Sequence, residues 1–309
     1  LFRPISSRIG SNDYNLDMTV IKPYLKLIRP KQWAKNVFIF IPLVFDGQLR
    51  LKSSFLKTLA GFALLCALYA ATYIFNDLND LEADRAHPKK KNRPLANGEV
   101  PPVNAIILAL ALTAVSLCLG FQLSLGFFQA ELAIITINVI YTKFLKNEVI
   151  VDVILIGCLF ILRVIAGLSL ISVKVFSPWL YLMTFMIALF LGFGKRRSEM
   201  IRTDIEKDVV RPALSRYSVT LLDQLITIVS SITILSYSLY TFSGPTLPGN
   251  NLMMLTIPVV VYGIFRYQYL IYQENEGDAP EEILLSDRPF QATLLIYAAI
   301  VVYALYFHG

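Results

Sequence analysis

Long apolar runs separated by short polar segments dominate this chain. Nine of them approach the roughly 20 apolar residues that a helix needs to cross a bilayer. The first is short unless the segment from Tyr24 joins it obliquely. The pattern predicts an all-α, polytopic membrane protein with nine transmembrane helices. The nine runs cover about residues 36–46, 55–76, 103–123, 127–145, 149–171, 178–195, 220–243, 252–272 and 290–307.

Composition agrees with this class, since 56% of the 309 residues are hydrophobic and only 16% are charged. Such values exclude an ordinary soluble domain. The net charge of +6 does not indicate a nucleic-acid partner, because the cations lie in loops between apolar runs. We expect a polar N-terminal tail over residues 1–21 and a single nine-helix catalytic domain over residues 22–309.

The loops on the two sides of the predicted membrane differ strongly in basic residues. One side receives 23 of the 28 Lys and Arg residues, including those of the N-terminal segment. Because basic loops favour the cytoplasm, the N-terminus and that side are predicted to be cytoplasmic. An odd number of spans across the cell (inner) membrane then places the C-terminus on the side opposite the cytoplasm, outside.

An acidic motif, Asn76 to Asp84, ends the second apolar run and precedes a basic loop. If the helix continues through the motif, Asp77, Asp80 and Asp84 share one face at positions i, i+3 and i+7. Carboxylate oxygens are ligands that Mg²⁺ prefers, and this ion often bridges to substrate phosphates. The motif therefore predicts a Mg²⁺ site, and the simpler alternative is a solvated acidic helix end.

Further polar residues are predicted at the same membrane level, and cations there also have the simpler role of anchoring helix ends. Asp152 could instead form a structural pair with Lys146. Arg163 lies about eleven residues, or ~16 Å of helix, deeper than Asp152 and needs a partner or a wet cavity. The predicted cytoplasmic set comprises Lys35, Asn36, Arg85, Lys91, Arg93, Tyr141, Lys146, Asp152, Lys195 and Arg196. Carboxylates, cations and an apolar bundle suit a reaction between a lipid and a phosphorylated soluble substrate.

These residues resemble a known family. The spacing Asn76-Asp77-x-x-Asp80-x-x-x-Asp84 resembles the first Asp-rich motif of the UbiA superfamily of intramembrane prenyltransferases. Tyr141 and Lys146 resemble the Tyr/Lys motif that follows its fourth span. The resemblance implies a UbiA-like helical bundle with its active site at the cytoplasmic side.

One segment departs from the usual pattern of that superfamily. Its second Asp-rich motif is replaced by a basic stretch, residues 194–199. This stretch resembles the branch that contains decaprenyl-phosphate phosphoribosyltransferase, and so do residues 29–36, 76–94, 162–167 and 280–287.

That branch implies Mg²⁺-dependent transfer of 5-phosphoribose from phosphoribosyl diphosphate (PRPP) to a polyprenyl (decaprenyl) phosphate, releasing diphosphate. Asp77, Asp80 and Asp84 would be catalytic metal ligands, and Asp152 would contact the ribose or stabilise charge at its anomeric carbon. Lys195 and Arg196 would hold the lipid phosphate or the 5-phosphate. The product could serve cell-wall synthesis as an arabinogalactan precursor, and a homo-oligomer is possible. The predicted substrate contacts are Lys35, Asn36, Asn76, Arg85, Lys91, Arg93, Tyr141, Lys146, Arg163, Lys195 and Arg196.

Two alternatives remain open at this stage. An ordinary UbiA-type enzyme would move a prenyl group from a prenyl diphosphate to an aromatic acceptor, and the basic replacement of the second motif argues against it. A transporter or lipid flippase would carry ionisable residues throughout its spans, whereas only Arg163 clearly lies deep in one.

Overall fold

A computed structural model describes residues 21–88, 90–173, 175, 177–206, 214–274, 277 and 280–307 of this chain. The predicted polar tail, residues 1–21, therefore lies outside the described residues except for its last position. Within the described part the regular elements are helices, as the apolar runs predict.

Twelve α-helices can be numbered along the described part of the chain. They are α1 (21–27), α2 (Ile41–Phe45), α3 (Lys52–Asn79), α4 (Leu81–Ala86), α5 (Pro102–Leu123), α6 (Leu125–Ile140), α7 (Val151–Leu168), α8 (Pro178–Glu206), α9 (Val219–Ser243), α10 (Ile257–Tyr272), α11 (Pro280–Ser286) and α12 (Arg288–Tyr306). Short 3₁₀ helices cover Pro30–Phe40, Gln48–Arg50, Lys90–Asn92, Leu214–Arg216 and Leu252–Thr256, and a π-helix covers Tyr141–Leu145.

Eight helices in the described part are long and apolar enough to cross a membrane. The chain is thus a multi-pass membrane protein, and these eight coincide with the second to ninth predicted runs. The largest difference in extent is at the sixth run, because α8 continues beyond residue 195 into the basic segment.

The first predicted run, residues 36–46, does not form a regular transmembrane α-helix. This stretch belongs to an entry segment, residues 30–45, that consists of the 3₁₀ helix Pro30–Phe40 followed by α2. Pro42 interrupts a continuous α-helix, because its ring clashes with the preceding turn, and it is tolerated in the first turn of α2. At about 2.0 Å per 3₁₀ residue and 1.5 Å per α residue, the segment is roughly 30 Å long, close to the hydrocarbon thickness.

One face of the entry segment is buried against protein, which is where irregular backbone inside a membrane finds its partners. Gly167 of α7 lets it approach closely, since a Cβ there would lie 2.1 Å from the carbonyl oxygen of Ile39. At the far end, the Tyr306 hydroxyl donates to the carbonyl oxygen of Val44 at 2.7 Å. The Thr246 hydroxyl donates to the carbonyl oxygen of Phe45 at 2.9 Å. Side chains thereby satisfy backbone acceptors that a continuous α-helix would satisfy internally.

The bundle brings most of the predicted polar residues to one end. The C-terminal ends of α3, α6, α8 and α10 lie there, with the N-terminal ends of α7, α9 and α12. Ion pairs across this end join Lys146 to Asp80 and Arg196 to Asp152. Buried apolar clusters beneath it hold the scaffold together, one between α8, α9 and α10 and another between α3, α6, α7 and the entry segment.

The close contact at Gly167 predicts a specific cost for a single added methyl group. Gly167→Ala should lower the free energy of unfolding by about 1–3 kcal/mol or more, because the entry segment would have to move away from α7. Unfolding in detergent would measure this. Gly249→Ala is the matched control, since a Cβ there meets nothing within 4 Å. Equal stability of the two variants would contradict the close packing.

Candidate active site

The acidic motif forms a kinked helix end. Helix α3 ends at Asn79, Asp80 adopts φ −100° and ψ 11°, and α4 then begins at Leu81. The expected uninterrupted helix is therefore broken at Asp80. The kink is local, because the Asp80 N–H still donates to the Asn76 carbonyl at 3.0 Å, and the Asp84 N–H donates to the Asp80 carbonyl at 2.8 Å.

Two carboxylates of the motif are buried and share one guanidinium. Asp77 and Asp84 are only 4% and 3% exposed. Arg93 Nη1 lies 2.9 Å from Asp77 Oδ1 and 2.6 Å from Asp84 Oδ2. Arg29 donates to the same oxygen of Asp77. Buried carboxylates need nearby positive charge, and the two arginines supply it here.

Arg29 belongs to this cluster but was not among the predicted site residues. It is one of several cations near the N-terminus, and spacing alone does not separate it from Lys26 or Lys31. The structure gives it a left-handed backbone conformation, with φ 52°, between α1 and the entry segment. Its guanidinium also lies 5.3 Å from the centre of the Tyr73 ring. The sequence does place Arg29 directly before Pro30. Because a residue before proline is disfavoured in the α-helical region, this position indicates that a helix ends at Arg29.

The third carboxylate of the motif has a different partner. Lys146 Nζ lies 2.6 Å from Asp80 Oδ1, so the alternative pairing of Lys146 with Asp152 was wrong. Burial raises the pKa of Asp80, but the hydrogen bond and charge of Lys146 outweigh it and hold the pKa below its ordinary value. In the preceding π-helix, the Thr142 hydroxyl donates to Asn76 Oδ1 at 2.6 Å. The Tyr/Lys segment is thereby fastened to the acidic motif.

A second cluster of buried charges surrounds Asp152 at the start of α7. Arg196 Nε lies 2.7 Å from Asp152 Oδ2, and Arg196 Nη1 lies 2.6 Å from Glu199 Oε2. The Tyr217 hydroxyl donates to Asp152 Oδ1 at 3.2 Å and accepts the Ile150 N–H at 2.6 Å. Burial raises the pKa of Tyr217 to about 12, so it remains a neutral donor. Arg196 thus bridges two carboxylates, as Arg93 does.

Five further predicted contacts occupy three kinds of position. Tyr141 begins the π-helix that contacts α7, the helix that carries Asp152, so the two clusters are neighbours. Arg85 and Lys91 are exposed beyond the acidic motif. Lys35 is half-buried and donates to Gln32 Oε1 at 2.5 Å. Lys195, also half-buried, precedes the bridging arginine on α8.

Arg163 and Asn36 lie deeper in the bundle and contact each other. Arg163 Nε donates to Asn36 Oδ1 at 2.9 Å. The guanidinium also lies 3.9 Å from the centre of the Tyr69 ring, and Tyr69 precedes Asp77 by eight residues, or about 12 Å of helix. The structure therefore does not bring this pair into the carboxylate cluster, and its contact with substrate stays a prediction.

The three carboxylates of the acidic motif offer the oxygen ligands that a hard divalent cation prefers. They are not, however, arranged around one ion position. In the described part of the chain, no three His, Cys, Asp or Glu side chains are gathered around a potential ion position. Arg93 lies between Asp77 and Asp84, while Asp80 turns towards Lys146. These contacts involve one oxygen of each carboxylate. The oxygen donors suit Mg²⁺, provided that the cations exchange these contacts for those with an anionic substrate.

An apolar cavity of about 270 Å³ opens between the entry segment and helices α8, α9, α10 and α12. Phe38, Ile41 and Phe45 line it from the entry segment, and Phe190 and Tyr297 from two of the helices. Its aromatic and aliphatic wall is suited to a hydrocarbon chain.

Comparison with known proteins agrees with this architecture. Residues 40–286 match the model of the UbiA prenyltransferase family. A decaprenyl-phosphate phosphoribosyltransferase of Corynebacterium glutamicum is 30% identical, over 91% of this chain and 86% of that protein. The enzyme of the same name from Mycolicibacterium smegmatis is 29% identical, over 93% and 94% respectively. A UbiA homologue from Archaeoglobus fulgidus, solved with DMAPP and Mg²⁺, shares the fold with a TM-score of 0.67 and 20% identity, over 92% of this chain and 99% of that one.

The buried bridge at Arg196 predicts a large stability effect. Arg196→Gln should lower the free energy of unfolding by about 3–5 kcal/mol, because Asp152 would remain buried without its cation. Arg216→Gln is the matched control, since its pair with Glu148 is exposed at 3.6 Å and should contribute about 0–1 kcal/mol. Denaturation of both variants in detergent measures the difference. Similar stabilities would show that Arg196 does not neutralise Asp152.

Proposed function

This chain belongs to the UbiA prenyltransferase family and is a transferase, and from that premise we propose that it transfers 5-phosphoribose from PRPP to a polyprenyl phosphate. The observation that carries the proposal is the Arg196 bridge. It lies in the segment that replaces the second Asp-rich motif, and its guanidinium already occupies the space between Asp152 and Glu199. A site with this fixed cation favours a substrate that carries phosphate at both ends.

PRPP has a diphosphate on C1 of the ribose and a monophosphate on C5. The acidic motif and its arginines would bind the diphosphate, while Lys195, Arg196 and Tyr141 on the neighbouring cluster would face the other phosphate or the lipid phosphate. The names of relatives that align over about nine-tenths of this chain support the same substrate class.

A Mg²⁺ ion would be held by Asp77, Asp80 and Asp84, with Asn76 assisting as a neutral ligand or donor. When bound, it would neutralise charge on the diphosphate leaving group. Arg29 and Arg93 contact these carboxylates directly. They would then turn to phosphate oxygens, which guanidinium groups bind in charge-assisted pairs. Lys35, Arg85, Lys91 and Lys146 would complete the cationic lining.

The reaction exchanges one bond to the ribose. An oxygen of the lipid phosphate forms a bond to C1, and the bond from C1 to the diphosphate oxygen breaks, its electron pair leaving with the diphosphate. The lipid phosphate is already ionised at pH 7, so no general base is required. Asp152 would accept from ribose hydroxyls or stabilise positive charge developing at C1. Positioning and electrostatics would then provide the rate enhancement.

The apolar cavity beside the entry segment would receive the first part of the lipid tail. At about 270 Å³ it is smaller than most cavities for drug-sized ligands, so the rest of a long tail would remain in the bilayer. The excess of basic residues at the site end supports a reaction at the cytoplasmic face of the inner membrane. With the entry segment counted as a crossing, the C-terminus would lie outside. The product, polyprenylphosphoryl-5-phosphoribose, would feed cell-wall synthesis.

A transfer assay tests the proposal. Purified protein in detergent, with Mg²⁺, labelled PRPP and a polyprenyl phosphate, should move label into the organic phase, and EDTA should abolish the transfer. Activity only with a prenyl diphosphate and an aromatic acceptor would refute the proposal in favour of ordinary prenyl transfer.

Matched carboxylate variants test the role of the acidic motif. Asp77→Asn should lower the rate by about two orders of magnitude or more, because the transition-state charge on the diphosphate would lose its support. Glu82→Gln, which changes an exposed carboxylate of α4, should retain near-normal transfer. Equal rates in the two variants would remove Asp77 from the mechanism.

A further inference from the structure

Arg163 carries a buried charge for which substrate binding is not the simplest explanation. It lies twelve residues beyond the start of α7, about 18 Å of helix, and is 3% exposed. The ion pairs in the described part of the chain give it no carboxylate partner. Its guanidinium instead contacts the rings of Tyr69 and Phe160, at 3.9 and 4.8 Å, and donates to the Leu159 carbonyl at 2.8 Å. A charge so placed is costly, so its long-range hydrogen bond to Asn36 is informative.

The contact between α7 and the entry segment has two matched points. Arg163 and Gly167 are four residues apart, so they lie on one face of an α-helix. Asn36 and Ile39 are three apart, so they lie on one face of a 3₁₀ helix. Arg163 hydrogen-bonds to Asn36, and the missing side chain of Gly167 accommodates the backbone of Ile39. A directional bond and a close contact one turn apart fix both the height and the rotation of the entry segment.

Helix α3 joins the same junction. Asn36 Nδ2 lies 3.3 Å from Cys66 Sγ, and the Tyr69 ring, one turn further along α3, lies against the Arg163 guanidinium. The Arg163–Asn36 pair therefore joins α3, α7 and the entry segment.

From this junction, α3 and the entry segment run towards the acidic motif over similar lengths. Tyr69 to Asp77 spans eight residues, about 12 Å, and Asn36 back to Arg29 spans seven residues, about 14 Å at the 3₁₀ rise. The two meet again where Arg29 donates to Asp77. Lys35 lies on the same segment, next to Asn36. A change in height at Asn36 would therefore displace both cations relative to the carboxylates.

We propose that Arg163 is a positioning residue, which acts through Asn36 to set the height of the entry segment and so the places of Arg29 and Lys35 at the phosphate-binding end. The effect of this positioning on catalysis rests on the proposed function, since it assumes that Arg29 binds the phosphates of PRPP. Its structural consequence, the placement of the entry segment, does not depend on the substrate.

The structural consequence is tested by a distance. Spin labels at Lys31→Cys and Glu82→Cys, on exposed positions of the entry segment and α4, report the separation between them in a Cys118→Ala, Cys158→Ala background. Arg163→Met should shift or broaden this distance by several ångströms. Arg216→Met, which removes an exposed arginine paired with Glu148 at 3.6 Å, should leave it unchanged. An unchanged distance in Arg163→Met would overturn the proposal.

Kinetics test the catalytic consequence. Arg163→Met should raise KM for PRPP on the order of ten-fold while leaving KM for the lipid phosphate near its normal value. Arg29→Gln should also raise KM for PRPP and leave KM for the lipid phosphate near its normal value. The double variant should be no worse than the poorer single variant, because both changes remove the same contact between Arg29 and the phosphates. Multiplying effects, or a change in the lipid KM instead, would overturn the positioning role.

The proposal can still be tested if Arg163→Met does not fold or if PRPP is not the substrate. If Arg163→Met does not fold, Asn36→Ala tests the same step, because it removes the linking side chain and leaves the charge in place. If the unaltered protein does not use PRPP, the proposed function fails, whereas the distance measurement still decides whether Arg163 positions the entry segment.

Discussion

The carboxylate of Asp77 is the point on which the functional end of the molecule depends. It is buried and shared by Arg29 and Arg93, which come from either side of it in the chain. Neutralising this charge draws the start of the entry segment and the basic loop onto the end of α3. Arg93 extends the network to Asp84, so the kinked motif, the loop and the entry segment are held in one electrostatic unit.

A second unit of the same design lies beside it, with Arg196 between Asp152 and Glu199. In both units one guanidinium bridges two carboxylates, so each of these carboxylates has a cation beside it within the protein. A diphosphate with its cation would allow an exchange of partners, in which the metal meets carboxylates and the arginines meet phosphates. Such an exchange would couple binding of substrate and metal, since each releases the groups that the other requires.

The sequence predicted the scaffold well and the pairing within the site less well. Apolar length located eight membrane-crossing helices, because burial in lipid imposes a strong and local pattern. The 3₁₀ form of the entry segment was not predicted, since it depends on Pro42, on Gly167 of a distant helix and on carbonyl partners near the C-terminus. Arg29 was missed, and one alternative paired Lys146 with Asp152, because ion pairs are set by tertiary contacts that spacing along one helix does not reveal.

The central claim is that the acidic motif holds the diphosphate of PRPP through a divalent metal. Electron paramagnetic resonance of Mn²⁺ bound to the protein tests it most directly, because phosphorus nuclei near the ion produce a measurable hyperfine coupling. With PRPP present, the account predicts a phosphorus coupling in the unaltered protein and its loss in Asp77→Asn. An undiminished coupling in that variant, or a coupling that arises with a prenyl diphosphate and not with PRPP, would contradict it.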